Sequence, residues 1–410
     1  MTKKYRELPK LSFSETRDLL LEKIESLNSE NVTIDECLGR VSARIYFATN
    51  AVPNFVKSPL DGYAMRSCDI RYASEDNPVT LKVVDEIRAG VLPTKVINKG
   101  EAAKILTGAP VPQNADCVIM YEQTEFDEKS VTVKQSLKPQ QNIIQIGEDQ
   151  QKGMMLVPRG SAINPAMIGL LASQGFHEIC TYKTPEIAVI STGDEVQDLD
   201  QPLVFGKVYN STRYLLAAEL RKMNFRCNYL GIAQDNVENI TALIDKGMEE
   251  NDTVIITGGV SAGDYDLVPE AMQKCGIEIM AYGVRMKPGM ACCYGIKKGK
   301  LCIGLSGNPA SAMINFHAVA KPLLKKQAGF AEVCPKLFKV RVINAFGKTA
   351  KSDRLLRGSL VLENGSCEMK VNAEQGNIVI SSMVNADLLA IVPKEHGPVN
   401  PGDELDAFFI

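Results

Sequence analysis

Three short apolar runs in the second half of the chain, each ended by a glycine-rich turn, restrict its fold more than any other feature. The runs are Ile187–Ile190, Thr253–Ile256 and Leu301–Gly304. Short apolar runs that lead into helical patterns are typical of buried parallel strands. Because the carboxyl ends of parallel strands open on one edge of a sheet, we expect the three turns to meet there. The pattern predicts a layered α/β domain with a ligand site at that edge.

Acidic residues accompany these turns. Backbone N–H groups of glycine turns, together with the positive end of a helix, form a cradle for an anion. Carboxylates beside such a cradle would repel a phosphate unless a divalent cation lay between them, so the pattern indicates a Mg²⁺-assisted phosphate or oxyanion site. Taken singly, each acid is also explained as a helix cap or a solvated loop residue. The acids that we expect at this edge are Asp194, Glu195, Asp235, Asp264 and Asp266.

The bulk composition argues against several classes of protein. The formal net charge of −3 provides no basic surface for nucleic acid or an anionic membrane. No apolar stretch approaches the ~20 residues of a membrane-spanning helix, and the N-terminus lacks the apolar segment of a secretory signal. Eleven cysteines are scattered without a C-x-x-C pair, and there are three histidines. We therefore expect free thiols in a reducing cytoplasm, with no structural zinc, no nucleic-acid partner and no membrane partner.

Changes in pattern along the 410 residues predict an α/β multidomain protein. We expect a helical and extended linker domain at 1–45 plus 148–184, beginning with a capping box at Ser12 and Glu15 and a helix at Thr16–Leu27. A β-rich domain should occupy 46–147, the α/β domain 185–330, and a small C-terminal β-barrel domain 331–410.

The individual elements follow from local periodicity and turn residues. A compact helix should begin at Pro165, after Asn164, and end before Gly175. Further helices are predicted at Thr212–Met223, Val237–Glu250, Pro269–Cys275 and Ala310–Gln327. The predicted strands outside the α/β domain are Val79–Val84, Cys117–Tyr121, Ser130–Lys134, Phe338–Val342, Ser359–Glu363, Met369–Val371 and Asn377–Ser381.

Six motifs carry a resemblance to a known family. They occur in the family's order and span nearly the whole chain: Ser58–Met65, Ile105–Pro112, Ser191–Glu195, Gly258–Gly263, Met286–Gly289 and Gly307–Ser311. On these motifs the chain resembles the molybdopterin molybdenumtransferases of the MoeA type, which are related to the E domain of gephyrin. The resemblance implies a four-part, elongated homodimer whose central α/β domain is of the molybdopterin-binding type.

The resemblance also implies a reaction in molybdenum cofactor biosynthesis. The substrates would be adenylylated molybdopterin and molybdate, Mg²⁺ would be the cofactor, and AMP would be released as molybdenum is left on the dithiolene of the pterin. A molybdopterin-adenylylating protein and molybdoenzyme maturation proteins would be further partners. Two other classes stay open: a dimeric gephyrin-like scaffold, and another nucleotide-pyrophosphate hydrolase or amidase on the same type of domain.

The resemblance carries the site residues over motif by motif. Metal binding and catalysis are assigned to Glu195, Asp235 and Asp266. Further catalytic positions, which the resemblance brings to the cleft across the dimer interface, are Asp61, Thr107 and Asp149. The substrate-binding positions are Gly258, Gly259, Ser261, Gly263, Lys287, Pro288, Gly307, Asn308, Pro309, Ser311, Arg354, Arg357 and Ser381. The Asp61-Gly62 pair is also explained as an ordinary turn.

Three features depart from the family pattern. Met290 stands where the family usually has the second lysine of Lys-Pro-Gly-Lys, and Ser306 replaces the first proline of Leu-Pro-Gly-Asn-Pro. The basic motif at 352–357 keeps its arginines without the usual spacing from an aromatic residue. A cation for molybdate is therefore missing beside Lys287, unless Arg354 or Arg357 supplies the charge.

Overall fold

A computed structural model describes residues 4–261, 263, 266–349, 351–363 and 366–410 of the chain. These residues divide into two compact units, each of which is considered by itself. The described parts of Met1–Arg44, Arg159–Pro165 and Glu178–Ile410 form the first unit, and Ile45–Pro158 with Ala166–His177 form the second unit. The division into four domains remains a prediction.

The first unit contains a six-stranded sheet with the three apolar runs at its centre. Four neighbouring strands are parallel, and two antiparallel strands extend the sheet on one side. The order across the sheet is Arg226–Ala233, Glu186–Thr192, Thr253–Thr257, Lys300–Leu305, Cys292–Lys297 and Glu278–Tyr282. The prediction of buried parallel strands is confirmed, and the turns after the three apolar strands lie on one edge.

Helices cover both faces of this sheet, because its central strands carry apolar side chains on both faces. Ile187 and Val189 belong to one core cluster with the helix Ser211–Lys222, whereas Ala188 and Ile190 belong to another with Val237–Glu250. In the part of the chain that the structure describes, no helix has both the length and the hydropathy to cross a membrane. The helices of this unit are Phe13–Leu21, Ser211–Lys222, Val237–Glu250, Val268–Lys274, Pro309–Asn315 and Lys321–Gln327, a π-helix at Phe316–Ala320, and 3-10 helices at Lys4–Glu7, Ile34–Glu36 and Ile380–Met383.

The capping box of the N-terminal helix is present as predicted. Ser12 Oγ accepts a hydrogen bond from the Glu15 N–H at 3.2 Å, and the Glu15 carboxylate accepts one from the Ser12 N–H at 2.8 Å. The helix runs over Phe13–Leu21 and not over Thr16–Leu27, because the cap at Ser12 places the first helical residue directly after it. Two short strand pairs also belong to this unit: Ser29–Thr33 with Glu178–Tyr182, and Val196–Gln197 with Val208–Tyr209.

The C-terminal part of the first unit is a closed five-stranded barrel. The predicted strand Asn377–Ser381 is wrong, because this segment turns after Gly376 and enters a 3-10 helix at Ile380. Its apolar alternation has another origin, since Ile378 and Ile380 both line the cavity described below. The order of strands around the barrel is Asp353–Glu363, Ser366–Val371, Phe338–Val342, Glu404–Phe409 and Leu388–Val392. The barrel closes because Leu388–Val392 also pairs with Asp353–Glu363. The short strand Met286–Lys287 pairs with Asp353–Glu363 from outside this order.

The second unit is built on a mixed six-stranded sheet. The strands predicted around Val79, Cys117 and Ser130 are present, with small shifts at their ends. The helix Pro165–Ser173 falls in this unit from Ala166 onward, and 3-10 helices occur at Ser67–Ile70 and Tyr121–Gln123. The sheet order is Cys117–Met120, Gly62–Met65, Glu101–Ile105, Val79–Ile87, Ser130–Val133 and Thr124–Phe126, with a separate pair formed by Tyr46–Phe47 and Met155–Val157.

Candidate active site

A cavity of about 610 Å³, here named the strand-end cavity, opens at the carboxyl edge of the parallel strands in the first unit. The turns after the three apolar strands line it, and the helix that begins at Ser211 contributes its first residues. Eight of the predicted site residues line this cavity: Glu195, Gly258, Gly259, Ser261, Asp266, Gly307, Asn308 and Pro309.

Glycine is required where the strand ends approach one another. Gly258 has a φ of +93°, and a Cβ at this position would lie 2.6 Å from Thr192 Oγ1 and 2.7 Å from the Thr192 carbonyl oxygen. The Gly258 N–H donates to the carbonyl oxygen of Leu305 at 2.9 Å, which ties two of the turns together. A Cβ on Gly307 would lie 3.5 Å from Gly258 Cα. The close packing brings the backbone of these turns to the cavity wall.

Two carboxylates, those of Glu195 and Asp266, line the cavity. Asp266 Oδ2 accepts a hydrogen bond from the Gly263 N–H at 2.6 Å, which closes the turn after Thr253–Thr257. The Glu195 carboxylate folds back over Gly193, where it would lie within 2.6 Å of an added Cβ. Asp264, the remaining predicted acid of this turn, lies outside the described residues.

Asp235 joins two loops and does not line the cavity. The Asp194 N–H donates to Asp235 Oδ2 at 3.1 Å, and the Asp235 N–H donates to Asp194 Oδ1 at 3.2 Å. This reciprocal pair connects the turn that carries Glu195 with the loop before the helix Val237–Glu250. The side chain of Asp235 therefore supports the loop from which Glu195 reaches the cavity.

The donor set of the cavity fits a magnesium ion that is shared with a phosphate ligand. Among the residues that the structure describes, no three His, Cys, Asp or Glu side chains form a group able to hold a metal ion. Magnesium is commonly held by one or two carboxylates, with waters and substrate phosphates as its other ligands. Glu195 and Asp266 supply two carboxylates beside the backbone N–H groups of a glycine turn.

A buried polar network that the sequence did not predict begins at the cavity wall, with Ser191 and Asn210. Asn210 caps the helix Ser211–Lys222 by accepting from the Arg213 N–H at 3.4 Å. Its amide group donates to Ser191 Oγ and to Tyr229 Oη, both at 3.0 Å. The sequence does contain a sign of this cap, because Asn210 directly precedes a helical pattern and asparagine is a common N-cap residue. Burial raises the pKa of Tyr229, so its hydroxyl stays protonated as a neutral partner in the network.

Lys287 and Arg354 lie opposite each other on paired strands. Lys287 is exposed and precedes the buried Pro288. The Arg354 guanidinium lies 5.2 Å from the centre of the Phe346 ring, and its buried Nε has no hydrogen-bond partner among the residues that the structure describes. Burial lowers the pKa of Arg354 from its usual high value. The strand register therefore places Lys287 and Arg354 at neighbouring backbone positions, and both carry the positive charge that an oxyanion site requires.

Three other predicted substrate-binding residues lie in different settings. Ser311 is buried in the helix Pro309–Asn315, and Ser381 is exposed in a 3-10 helix. Arg357 is fully buried, where it donates to Gln375 Oε1 and to the carbonyl oxygen of Gly376, each at 3.2 Å. Burial lowers the pKa of Arg357 to about 10. Its guanidinium fixes the loop that precedes Ile378.

The second unit holds the other three predicted catalytic residues. Asp61 Oδ1 accepts hydrogen bonds from the Thr107 N–H at 2.7 Å and from Thr107 Oγ1 at 2.8 Å. These bonds favour the ionised carboxylate and hold the pKa of Asp61 below its usual range. Asp149 Oδ2 accepts from Gln150 Nε2 at 3.0 Å. Asp61 and Thr107, which the sequence interpretation selected from separate motifs, thus form one hydrogen-bonded pair.

Replacement of Thr107 by valine should raise the pKa of Asp61 toward the usual value of an aspartate. The substitution removes the hydroxyl donor and keeps the backbone donor, so part of the depression of the pKa should remain. A pH titration of the Asp61 carboxyl carbon by NMR measures this shift. Thr80→Val, which removes an exposed hydroxyl that is hydrogen-bonded to the hydroxyl of Thr132, is the matched control. An unchanged pKa for Asp61 in Thr107→Val would contradict the assignment.

Comparisons with known proteins cover almost the whole chain. Residues 11–175 match the MoeA N-terminal region (domain I and II), 188–326 match a probable molybdopterin binding domain, and 339–409 match the MoeA C-terminal region (domain IV). A molybdopterin molybdenumtransferase of Staphylococcus aureus is 32% identical over 368 residues, which are 90% of this chain and 88% of that protein. The chain belongs to the molybdopterin molybdenumtransferase (MoeA) family.

Further relatives of this MoeA-family chain agree with the assignment. A molybdopterin molybdenumtransferase of Staphylococcus epidermidis is 31% identical over 383 residues, covering 93% of this chain and 91% of its own. The crystal structure of a molybdopterin biosynthesis MoeA protein from Pyrococcus horikoshii superposes with a TM-score of 0.82 at 28% identity, covering 98% of this chain and 99% of that one. The predicted family and fold class are confirmed, and neither the scaffold nor the hydrolase alternative gains support.

Proposed function

We propose that this MoeA-family chain inserts molybdate into adenylylated molybdopterin, with Mg²⁺-dependent release of AMP, and so completes the molybdenum cofactor. One observation carries the proposal: Glu195 and Asp266 share the strand-end cavity with the backbone of a glycine turn. Backbone N–H groups suit a phosphate, and two carboxylates suit the magnesium ion that a phosphate ester brings with it. The relatives named above are molybdopterin molybdenumtransferases. The cavity has the hydrogen-bond donors and carboxylates that an adenylylated molybdopterin would require.

The protein's own groups would bind and orient the phosphate end of the substrate. The turn at Gly258 and Gly259 would donate backbone N–H groups to phosphate oxygens, close to the N-terminal end of the helix Ser211–Lys222. Glu195 and Asp266 would hold Mg²⁺ against the same phosphate. The chemistry that Mg²⁺ would supply when held there is neutralisation of the negative charge on the phosphate of the departing AMP.

Molybdate is an oxyanion substrate and needs cations and hydrogen-bond donors. The pair formed by Lys287 and Arg354 offers two positive charges on adjacent strands. Arg354 is the stronger candidate of the two barrel arginines, because the described part of the chain offers its Nε no partner, whereas the Arg357 guanidinium is bound to Gln375 and Gly376. Lys287 would act as a point charge and Arg354 as a planar donor.

The proposal includes a homodimer with an active site shared between subunits. Its support is the motif resemblance, together with the Asp61–Thr107 pair, in which an ionised carboxylate is held by two donors. We also propose a cytoplasmic location, where an adenylylating protein would deliver the substrate and maturation proteins would receive the product. The location is supported by eleven scattered cysteines, which suit a reducing compartment.

An assay of AMP release separates the proposed reaction from its alternatives. The purified chain is incubated with adenylylated molybdopterin, with and without molybdate, and with Mg²⁺ or a chelator. A molybdenumtransferase should release AMP only when molybdate and the divalent cation are both present. A nucleotide-pyrophosphate hydrolase would release AMP without molybdate, and a scaffold would release none. Either of those outcomes would refute the proposed function.

Replacement of Met290 by lysine should tighten the binding of molybdate. Met290 is 55% exposed and is followed by Ala291, which lines the strand-end cavity. One added cation beside a bound oxyanion contributes about 1–3 kcal/mol, which corresponds to roughly 5- to 150-fold in Kd. The measurement is the molybdate concentration that gives half-maximal AMP release, supported by direct titration with molybdate.

The matched control for this change is Met154→Lys, which adds the same charge at another exposed methionine. Met154 lies in the second unit, so a general effect of net charge would appear in both variants. An unchanged molybdate dependence in Met290→Lys would mean that Lys287 and Arg354 already satisfy the oxyanion.

A further inference from the structure

Apolar side chains at the strand-end cavity are left exposed to solvent. Val208, Tyr209 and Ile378 all line the cavity, yet they are 53%, 38% and 67% exposed. Exposed apolar groups in a binding cavity contribute favourable free energy when a ligand covers them. The glycine-turn backbone and the carboxylates account for the charged part of a ligand, and these apolar side chains are free for a ring.

The Tyr209 ring is held by a segment named here the flap, residues 198–207. The flap connects two short paired strands, Val196–Gln197 and Val208–Tyr209, in which Gln197 lies opposite Tyr209. Tyr209 Oη donates to the carbonyl oxygen of Gln201 at 3.2 Å, and Gln197 Nε2 donates to the same carbonyl oxygen at 3.0 Å. A ring that is ordered before binding loses little conformational entropy when a ligand stacks on it.

Ile378 is also positioned, by hydrogen bonds to the two residues that precede it. The Gly376 carbonyl oxygen accepts from the buried Arg357 at 3.2 Å, and the Asn377 carbonyl oxygen accepts from the Ser311 N–H at 3.1 Å. The two bonds attach this loop to the barrel and to the helix Pro309–Asn315. Ile378 therefore presents a large exposed side chain from a backbone that is fixed at two points.

We propose that Tyr209 and Ile378 contact the planar heterocycle of the substrate and determine which ring the cavity accepts. The inference rests on the proposed function, because adenylylated molybdopterin contains two such rings, adenine and pterin. Tyr209 stacks on the ring face, and Ile378 covers its apolar surface. Both residues are substrate contacts that act beside the phosphate site at Gly258, and neither takes part in the phosphate chemistry.

A single tryptophan can report on this contact, because the chain has none of its own. Tyr209→Trp places one fluorophore in the cavity, and it is titrated with AMP, with neopterin phosphate and with inorganic phosphate. Saturable quenching by AMP assigns the adenine ring to Tyr209, and quenching by neopterin phosphate assigns the pterin ring. Inorganic phosphate has no ring and should not quench. No quenching by either ring, or equal quenching by inorganic phosphate, would overturn the proposal.

Tyr214→Trp is the matched control for the reporter. Tyr214 is 41% exposed, five positions from Tyr209, and does not line the cavity. Its tryptophan should not respond to the ring that quenches Tyr209→Trp. A response of equal size at both positions would show a general change of the unit and would contradict a local ring contact.

Affinity measurements on further variants test the energetic role. Tyr209→Leu should weaken binding of the quenching probe about 5- to 100-fold, because stacking on an aromatic side chain is lost. Tyr209→Phe keeps the ring but loses the bond to the Gln201 carbonyl oxygen, so it should lose less affinity than Tyr209→Leu. Ile378→Ser should weaken binding while Ile378→Leu should not. Isothermal titration of each folded variant gives these values, and an unchanged affinity in Tyr209→Leu refutes the contact.

The AMP-release assay on the wild-type chain keeps the two proposals separate. If the wild type releases AMP with molybdate and Tyr209→Leu binds both probes normally, the ring contact is wrong and the function stands. If the wild type shows no molybdate-dependent release, the proposed function is wrong, and probe binding alone decides whether Tyr209 accepts a planar ring.

Discussion

Replacement of Asp266 by asparagine should lower molybdate-dependent AMP release by at least ~100-fold while the fold is retained. The amide oxygen of asparagine can still accept the hydrogen bond from the Gly263 N–H, which Asp266 Oδ2 accepts at 2.6 Å. The change therefore removes one negative charge from the strand-end cavity without removing the bond that closes the turn. We expect the loss in kcat together with a weaker dependence on Mg²⁺, measured by AMP release over a titration of the cation.

The control for this prediction is Asp252→Asn. Asp252 Oδ2 accepts from the Glu186 N–H at 2.9 Å, a similar bond at the opposite, amino end of the parallel strands. Loss of charge there should leave AMP release unchanged. The same change at Asp235, which bonds the Asp194 N–H outside the cavity lining, should have a smaller effect than at Asp266. Full activity of Asp266→Asn, or of the wild type in chelator, would exclude carboxylate-bound Mg²⁺ from the reaction.

The sequence predicted the centre of the α/β domain well, for a physical reason. Strands buried on both faces must be apolar throughout, so Ile187–Ile190 and Thr253–Ile256 are recognisable without any partner. Glycines at their ends, such as Gly258, are needed because neighbouring strand ends leave no space for a Cβ. Local pattern and tertiary contact agree at these positions, and a cavity opens at the edge where the pattern predicts a ligand site.

The barrel and the cavity walls were harder to predict, because the conformation of their residues is determined by contacts with residues distant in sequence. The strands Leu388–Val392 and Glu404–Phe409 were not predicted, and Asn377–Ser381 was predicted as a strand in error. The alternation of Ile378 and Ile380 reflects a cavity wall and not a sheet face. No local signal distinguishes these two causes of a two-residue period.

The roles of the arginines depended on three-dimensional contacts in the same way. Arg354 and Arg357 are equivalent in the sequence, since both belong to one basic motif. In the fold, Arg357 is bound to Gln375 and Gly376. Arg354 lies opposite Lys287, and no described residue is a hydrogen-bond partner of its Nε. A loop about twenty residues away in sequence thus decides which arginine is available. The substrate contacts of both remain predictions.

A mixture of two inactive variants should recover activity if the site is shared between subunits. Asp61→Ala removes the carboxylate that Thr107 holds in the second unit, and Asp266→Ala removes a carboxylate of the strand-end cavity in the first. Each homodimer should be nearly inactive by itself. In a mixed dimer of a shared-site enzyme, one site receives both defects and the other receives none. Random pairing makes half of the dimers mixed, so activity should approach about a quarter of the wild-type value.

The matched control is a mixture of Asp61→Ala with Thr107→Ala, two changes in the second unit. Every shared site would then contain a defective second unit, so no activity should return, although the subunits exchange to the same extent. Exchange is followed by affinity capture of differently tagged chains, and AMP release is measured before and after mixing. Recovery in the first mixture and none in the second requires Asp61 and Asp266 to act from different subunits. No recovery in either mixture, with exchange established, would mean that each site is formed within one subunit, because a mixed dimer would then carry one defect in each of its sites.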